Sequence, residues 1–100
     1  MKISKNNIKR INGLMSTIRS AKLMAEDFSD RACEADISRA ESYRLESRAA
    51  HWAIRCHQTA IDLYEETGIE FESIELSRGM LELMEDRLSR ITAILEREAA

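Results

Sequence analysis

The chain has 100 residues, of which 44% are hydrophobic and 33% charged, with a formal net charge of −3 and no proline. Ala, Glu, Lys, Leu and Arg account for 49 residues, a share typical of long helices and coiled coils. Valine is absent and glycine occurs three times, so the β-branched residues and turn signals of a sheet protein are scarce. The composition excludes collagen-like, disulfide-rich and low-complexity chains, and it predicts a single all-α domain over residues 1–100.

The first predicted helix begins after Ser4, whose hydroxyl can accept a hydrogen bond from a first-turn amide. Gly13 inside this helix is interpreted as the mark of a close helix crossing. Lys2, Lys5 and Lys9 are expected on the solvated face, opposite an apolar stripe that recurs at helical spacing, and Lys22 is expected close to the edge of that stripe. The stripe consists of Ile8, Ile11, Leu14, Met15, Ile18, Ala21 and Ala25.

The first break is predicted within the polar segment 26–30, because its Asp and Ser side chains compete for local backbone hydrogen bonds. Ser29 or Asp30 would then cap the next helix. The alternative is a longer first helix, since an apolar heptad pattern continues through Phe28 and Ala32 to Ala35.

The second predicted helix runs from about Asp30 to Thr67, where Gly68 provides a stop signal. Its length of about 37 residues makes it a long central helix of about 55 Å. The apolar face changes direction between Glu41 and Arg48, which indicates either a kink or one continuous helix with different neighbours along its length. We favour the continuous helix.

The third predicted helix begins near Ser73 and carries a coiled-coil-like seam with alternating three- and four-residue steps. Met80, Leu83 and Ile94 widen this seam, so the helix is expected to contact two or more neighbours in a bundle. A domain of this size buries only about 60–70% of its unfolded surface, which favours association, and we predict a homodimer. The seam, assigned to the core or to the dimer interface, consists of Ile74, Leu81, Met84, Leu88, Ile91 and Leu95.

No pattern of catalytic or metal-binding residues stands out. His51, Cys56 and His57 do not share a helix face, so neither a metal site nor a Cys–His nucleophile is expected. His57 is interpreted as a histidine at the edge of an apolar face. The sequence therefore predicts no enzyme, no cofactor and no metal.

The two cysteines, Cys33 and Cys56, are predicted to be reduced and buried in a reducing, cytoplasmic compartment. No membrane association is expected, because the longest uninterrupted apolar stretches have three residues whereas a membrane span needs about 20.

The charges are segregated along the chain. Residues 1–24 carry six basic residues and no acid, whereas residues 51–76 carry six acids against one arginine. This asymmetry indicates either a charged partner or complementarity within the chain. The acidic residues, which could form one curved surface, are Asp62, Glu65, Glu66, Glu70, Glu72 and Glu75.

These features favour a non-enzymatic protein–protein interaction module. In size, helical architecture and segregated charge it is similar to small inhibitors from phages and mobile elements that bind a host macromolecular complex. In such a role, the acidic surface would imitate nucleic-acid phosphates and bind a basic groove of a nucleoprotein. The alternative is a nucleic-acid-binding regulator, in which the basic first helix contacts phosphates. The residues assigned to that role are Lys2, Lys5, Lys9 and Arg10.

Overall fold

Three helices and no strand make up the part of the chain that the computed structural model describes, residues 5–99. Helix α1 spans Lys5–Ala32, α2 spans Arg39–Thr67 and α3 spans Ile74–Ala99. Successive helices run antiparallel, since the start of α1 lies beside the end of α2. The predicted all-α, three-helix architecture is confirmed. Ser4, the predicted first cap, and Lys2 lie outside the described residues.

Helix α1 continues through the segment in which a break was predicted. Phe28 and Ala32 are buried together with Leu45 of α2, and this cluster holds the last turn of α1 against its neighbour. The predicted break at 26–30 is wrong because tertiary burial outweighs the local preferences of the Asp and Ser side chains. The longer alternative is closer to the structure, although α1 ends at Ala32 rather than Ala35.

Helix α2 begins at Arg39 and is capped by Ser38, whose Oγ accepts a hydrogen bond from the amide of Glu41. The connection between α1 and α2 is also fastened by Ser42, which donates from its Oγ to the carbonyl of Ala32 at 2.7 Å. The predicted helix over residues 30–67 is therefore too long, and α2, with 29 residues, is barely longer than its neighbours. Cys33 lies in the connection and is exposed, so its predicted burial is wrong.

The end of α2 follows the prediction. Gly68 adopts a left-handed conformation with φ 75°, and its amide donates to the carbonyl of Tyr64. Only glycine takes this conformation without a steric cost, which explains why the helix stops after Thr67. Helix α3 follows at Ile74, where the Ser73 hydroxyl lies 3.5 Å from the amide of Leu76.

Two apolar clusters hold α1 against α2. The larger one is built on Ile18 and Leu63, which are both completely buried, and on three small side chains, Ala21, Cys56 and Ala60. The smaller one contains Phe28, Ala32 and Leu45, as described above. The burial of Cys56 is as predicted.

Helix α2 has a second apolar side. Ala50 and Ile61 are buried well away from the line of Leu45, Cys56 and Leu63 if each residue advances about 100° round the axis. The preferred interpretation of one continuous helix with different neighbours is confirmed for the segment 41–48, since α2 runs through it without a break. Its two neighbours are α1 and α3 of the same chain.

Helices α1 and α3 both pack on α2, but over residues 5–99 no Cα atom of α1 lies within 8 Å of one in α3. The bundle is therefore open on one side. It measures 55 × 22 × 21 Å, and its radius of gyration is 16.2 Å, against about 13 Å for a compact domain of this length. Gly13 does not mark a close crossing, because a Cβ atom added there would meet nothing within 4 Å.

Candidate protein-interaction surface

The predicted seam of α3 faces α2 but is only partly covered. Ile91 is buried, as is Ser77, which interrupts the seam in the sequence. The remaining seam residues, Ile74, Leu81, Met84, Leu88 and Leu95, are half-buried. The prediction that α3 contacts two or more helices is wrong within one chain, because α2 is its only helical neighbour among the described residues.

A second apolar stripe lies beside this seam and is turned away from α2. It consists of Leu76, Met80, Leu83 and Ile94, and we call it the α3 flank. Leu76 and Leu83 are 53% and 54% exposed, and the other two are half-buried. At about 100° per residue, all four lie within one sector of the helix. The apolar surface of α3 thus extends well beyond what α2 covers.

A cleft of about 230 Å³ separates α1 from α3 next to this flank. Its floor is formed by three alanines of α2, Ala49, Ala50 and Ala53, while α3 contributes Met84 and Arg87. Because alanine side chains are short, the surface of α2 is low here and the two outer helices form the walls. We call this feature the alanine trough.

The rim of the alanine trough carries charges of both signs. Helix α1 contributes Glu26 beside Ala25 and Ser29, and α2 contributes Glu46. Glu46 Oε1 lies 3.5 Å from Arg87 Nη2 of α3, so this ion pair joins α2 to α3 at one edge. Glu26 takes part in no ion pair among the described residues. The trough therefore combines an apolar floor with one unpaired carboxylate.

Two polar side-chain atoms, His57 Nδ1 and Ser77 Oγ, are buried close to the α2–α3 connection without a hydrogen-bond partner. His57 Nδ1 lies 3.3 Å from Glu72 Oε1, but the angles do not form a hydrogen bond. Ser77 Oγ is completely enclosed and is also unpartnered. Since the Ser77 hydroxyl donates no hydrogen bond to a base, the site lacks the geometry of an activated serine. His57, with 13% of its side chain exposed, is the boundary histidine that the sequence predicts.

The buried thiol of Cys56 is likewise unsuited to nucleophilic chemistry. Burial is the main cause that raises its pKa, and the nearby Glu72 carboxylate raises the pKa further. The thiolate is the reactive form of cysteine, so a raised pKa keeps this side chain protonated at neutral pH. His57 follows it in the sequence, but the polar contact of its Nδ1 is with Glu72.

The basic first helix and the acidic segment meet inside the chain. Arg10 donates two hydrogen bonds to Glu66, from Nε at 2.7 Å and from Nη2 at 2.6 Å. These hydrogen bonds raise the pKa of Arg10 and lower that of the Glu66 carboxyl. Arg10 belongs to the predicted nucleic-acid-binding set and Glu66 to the predicted acidic surface, so the two predicted surfaces contact each other through this pair. Lys5 and Lys9, the other described residues of the basic set, are exposed.

Three of the six predicted acidic-surface residues are engaged within the chain. Besides Glu66, Asp62 is half-buried and accepts a hydrogen bond from Gln58, and Glu72 lies against His57. The remaining three, Glu65, Glu70 and Glu75, are exposed. Segregated charge therefore serves internal complementarity at least at the Arg10–Glu66 contact.

The alanine trough itself was not predicted from the sequence. The available signal was the presence of three alanines within five residues, 49–53. Small residues at one level of a helix indicate either close packing or an open surface, and the sequence alone does not distinguish the two.

Among residues 5–99, no group of three or more His, Cys, Asp or Glu side chains comes together as a metal site. Across the same residues, none of the helices has the length and apolar content required to cross a bilayer. Comparison with protein-family models, curated proteins and solved structures finds no match for this chain.

Proposed function

We propose that this chain is a non-enzymatic protein–protein interaction module whose working surface consists of the α3 flank and the alanine trough. The observation that carries the proposal is the exposure of Leu83, the sequence neighbour of Met84 in the alanine-floored cleft, together with the exposure of Leu76 on the same stripe. Contiguous apolar surface next to charged residues is typical of protein-binding sites. A helix from a partner fits such a trough, since its apolar side chains can enter between two parallel walls.

The amount of exposed surface supports the same proposal. The accessible surface is 7015 Å². A compact monomer of 11.5 kDa exposes about 5,800 Å² on the usual scaling with mass. The excess of about 1,200 Å² exceeds the roughly 800 Å² that each partner buries in a typical interface. A partner seated on the open side would account for this excess.

Two buried side chains of nucleophilic type, Cys56 and Ser77, are poorly placed for catalysis. The Cys56 thiol is held in its protonated form by burial, and the buried Ser77 hydroxyl has no base to activate it. Both side chains are also closed to a substrate.

A narrower form of this proposal is inhibition of a host nucleoprotein complex, which uses the exposed carboxylates of Glu65, Glu70 and Glu75. These carboxylates form no ion pair among the described residues and remain available to a basic groove.

The alternative of nucleic-acid binding has support from the exposed Lys5 and Lys9, but the engagement of Arg10 by Glu66 weakens it.

The proposal is tested by affinity capture with three versions of the chain: wild type, Leu83→Glu and Leu23→Glu. Leu23 is 66% exposed and lies on α1 away from the trough, so it is a matched control for an exposed leucine. We expect a protein partner retained by wild type and by Leu23→Glu but lost with Leu83→Glu. Partner binding that survives Leu83→Glu would contradict the proposed surface.

Two further measurements separate the narrower roles. Replacing the three exposed glutamates with glutamine should abolish capture of a nucleoprotein if inhibition uses the acidic surface. Steeply salt-dependent binding of a labelled duplex, lost on replacing Lys5 and Lys9 with glutamine, would instead favour the nucleic-acid role.

A further inference from the structure

We propose that α3 of a second copy of this chain occupies the alanine trough, antiparallel to α3 of the first copy about a two-fold axis near Met84 and Arg87. This inference rests on the proposed interaction surface and names its partner. The dimer would be isologous, so that each copy presents the α3 flank and receives the other's flank.

The exposed area of the chain favours a partner that covers one extended patch on each copy. A lone copy exposes about 1,200 Å² more than a compact monomer of its mass. A standard interface buries about 800 Å² per partner, so one symmetric contact along α3 removes most of the excess. Helix α3 lacks a second helical neighbour among the described residues, since α1 does not reach it.

The shapes of the flank and the trough match at one level of the bundle. The contact between Arg87 and Glu46 places residue 87 of α3 beside residue 46 of α2, and the alanine floor begins three residues further along α2. Leu83 lies one helical turn before Arg87 and next to Met84, which lines the trough. A two-fold axis at this level sets residue 83 of each copy opposite residues 87 and 88 of the other, so that the Leu83 side chain lies at the Glu46–Arg87 end of the alanine trough, one helical turn from Ala49.

The charges of α3 favour the antiparallel orientation. Its first half, residues 74–86, carries four acidic residues and one arginine, whereas residues 87–99 carry three arginines and two acidic residues. Antiparallel pairing sets the acidic half of each copy against the more basic half of the other, and parallel pairing sets the acidic halves against each other. The unpaired Glu26 on the trough wall would then face Arg87 or Arg90 of the second copy.

The first test measures molar mass by light scattering from micromolar to submillimolar concentration. We expect a dimer for wild type and for Leu23→Glu. For Leu83→Glu we expect a monomer with unchanged helical content by circular dichroism, because Leu83 is 54% exposed and supports no core. The carboxylate buried in the interface should weaken the dimer by about 100-fold or more.

The second test determines orientation with introduced cysteines in a Cys33→Ser background. Residues 76 and 94 are 18 apart, which is about 27 Å along a helix. In the antiparallel dimer, Leu76→Cys should cross-link only when Ile94→Cys is also present, because a disulfide requires Cα atoms within about 7 Å. Efficient cross-linking of Leu76→Cys alone indicates parallel pairing and would overturn the proposed arrangement.

The outcomes separate this inference from the proposed function. A wild-type monomer at every concentration overturns the second copy as occupant, and the proposed function survives if a different protein is still captured and lost with Leu83→Glu. A dimer that dissociates with Leu23→Glu but not with Leu83→Glu overturns the trough as the dimer interface. Dissociation by Leu83→Glu while a captured partner stays bound supports the dimer and contradicts the trough as the binding site for that other protein.

Discussion

Replacing Ile18 with alanine tests whether the α1–α2 cluster is the centre of stability. Ile18 is completely buried, and three of its four cluster neighbours are small: Ala21, Cys56 and Ala60. Loss of a large aliphatic side chain typically costs 2–5 kcal/mol, and the cost rises with the cavity that remains. Small neighbours can fill little of that cavity, so we expect a loss of about 3–4 kcal/mol. That is a large share of the 5–15 kcal/mol typical of a whole domain.

The assay is urea unfolding followed by circular dichroism at one fixed protein concentration, with Leu23→Ala as the control. Leu23 is 66% exposed, so its replacement should change the free energy of unfolding by less than about 0.5 kcal/mol. For Ile18→Ala, the melting temperature should also fall by at least about 12 °C. A loss below about 1.5 kcal/mol would refute the cavity argument, because it would mean that the cluster collapses around the smaller side chain.

Three further predictions concern backbone positions and the surface ion pair. Gly13→Ala should stabilise the chain by about 1 kcal/mol in thermal unfolding, since Gly13 lies inside α1 with open space beside it. Gly68→Ala should instead destabilise the chain by about 1–2 kcal/mol, because Gly68 has a positive φ. Equal effects of the two substitutions would contradict these expectations. Ser38→Ala should cost about 1 kcal/mol, with Ser38→Asp restoring most of it in the same assay; no loss would mean that the cap is dispensable. The hydrogen bonds from Arg10 lower the pKa of the Glu66 carboxyl, so the stability they give is present above the unfolded-state pKa and is lost as the pH falls through the folded-state pKa. An NMR titration should show the Glu66 midpoint rising in Arg10→Gln, and an unchanged midpoint would contradict the pairing.

The all-α class and most helix ends follow from local sequence preferences, but the boundary between α1 and α2 does not. The Asp and Ser side chains of residues 26–30 gave a plausible stop signal, yet burial of Phe28 against Leu45 extends α1 past it. The real signal is a capping-box pattern, Ser38 followed three residues later by Glu41. Local propensity alone could not rank these two candidates, because the deciding contact is with another helix.

The α3 flank could be predicted from the sequence, but the alanine trough could not, because the trough depends on how the helices pack. The excess apolar width of α3 was readable from Met80, Leu83 and Ile94, since helical spacing fixes which side chains share a face. The trough depends on how far α1 stands from α3, and no periodicity gives that distance. The Arg10–Glu66 pair was equally out of reach, because it joins residues 56 apart through the antiparallel register of α1 and α2.

The thin core and the open trough have the same origin. Among the described residues, Ile18 and Leu63 are the large apolar side chains that are completely buried, and both belong to the α1–α2 contact. Helix α3 has Ile91 as its single buried apolar residue, so it contributes far less burial than α1 although its apolar stripe is wider. Closing the chain on itself would require α1 to cover both α2 and α3, but its own stripe is already used against α2.

A helix from outside the chain is therefore the simplest way to bury the α3 flank, and association should stabilise α3 more than α1. Hydrogen exchange should report this as amide protection in α3 that rises with protein concentration while protection in α1 changes little.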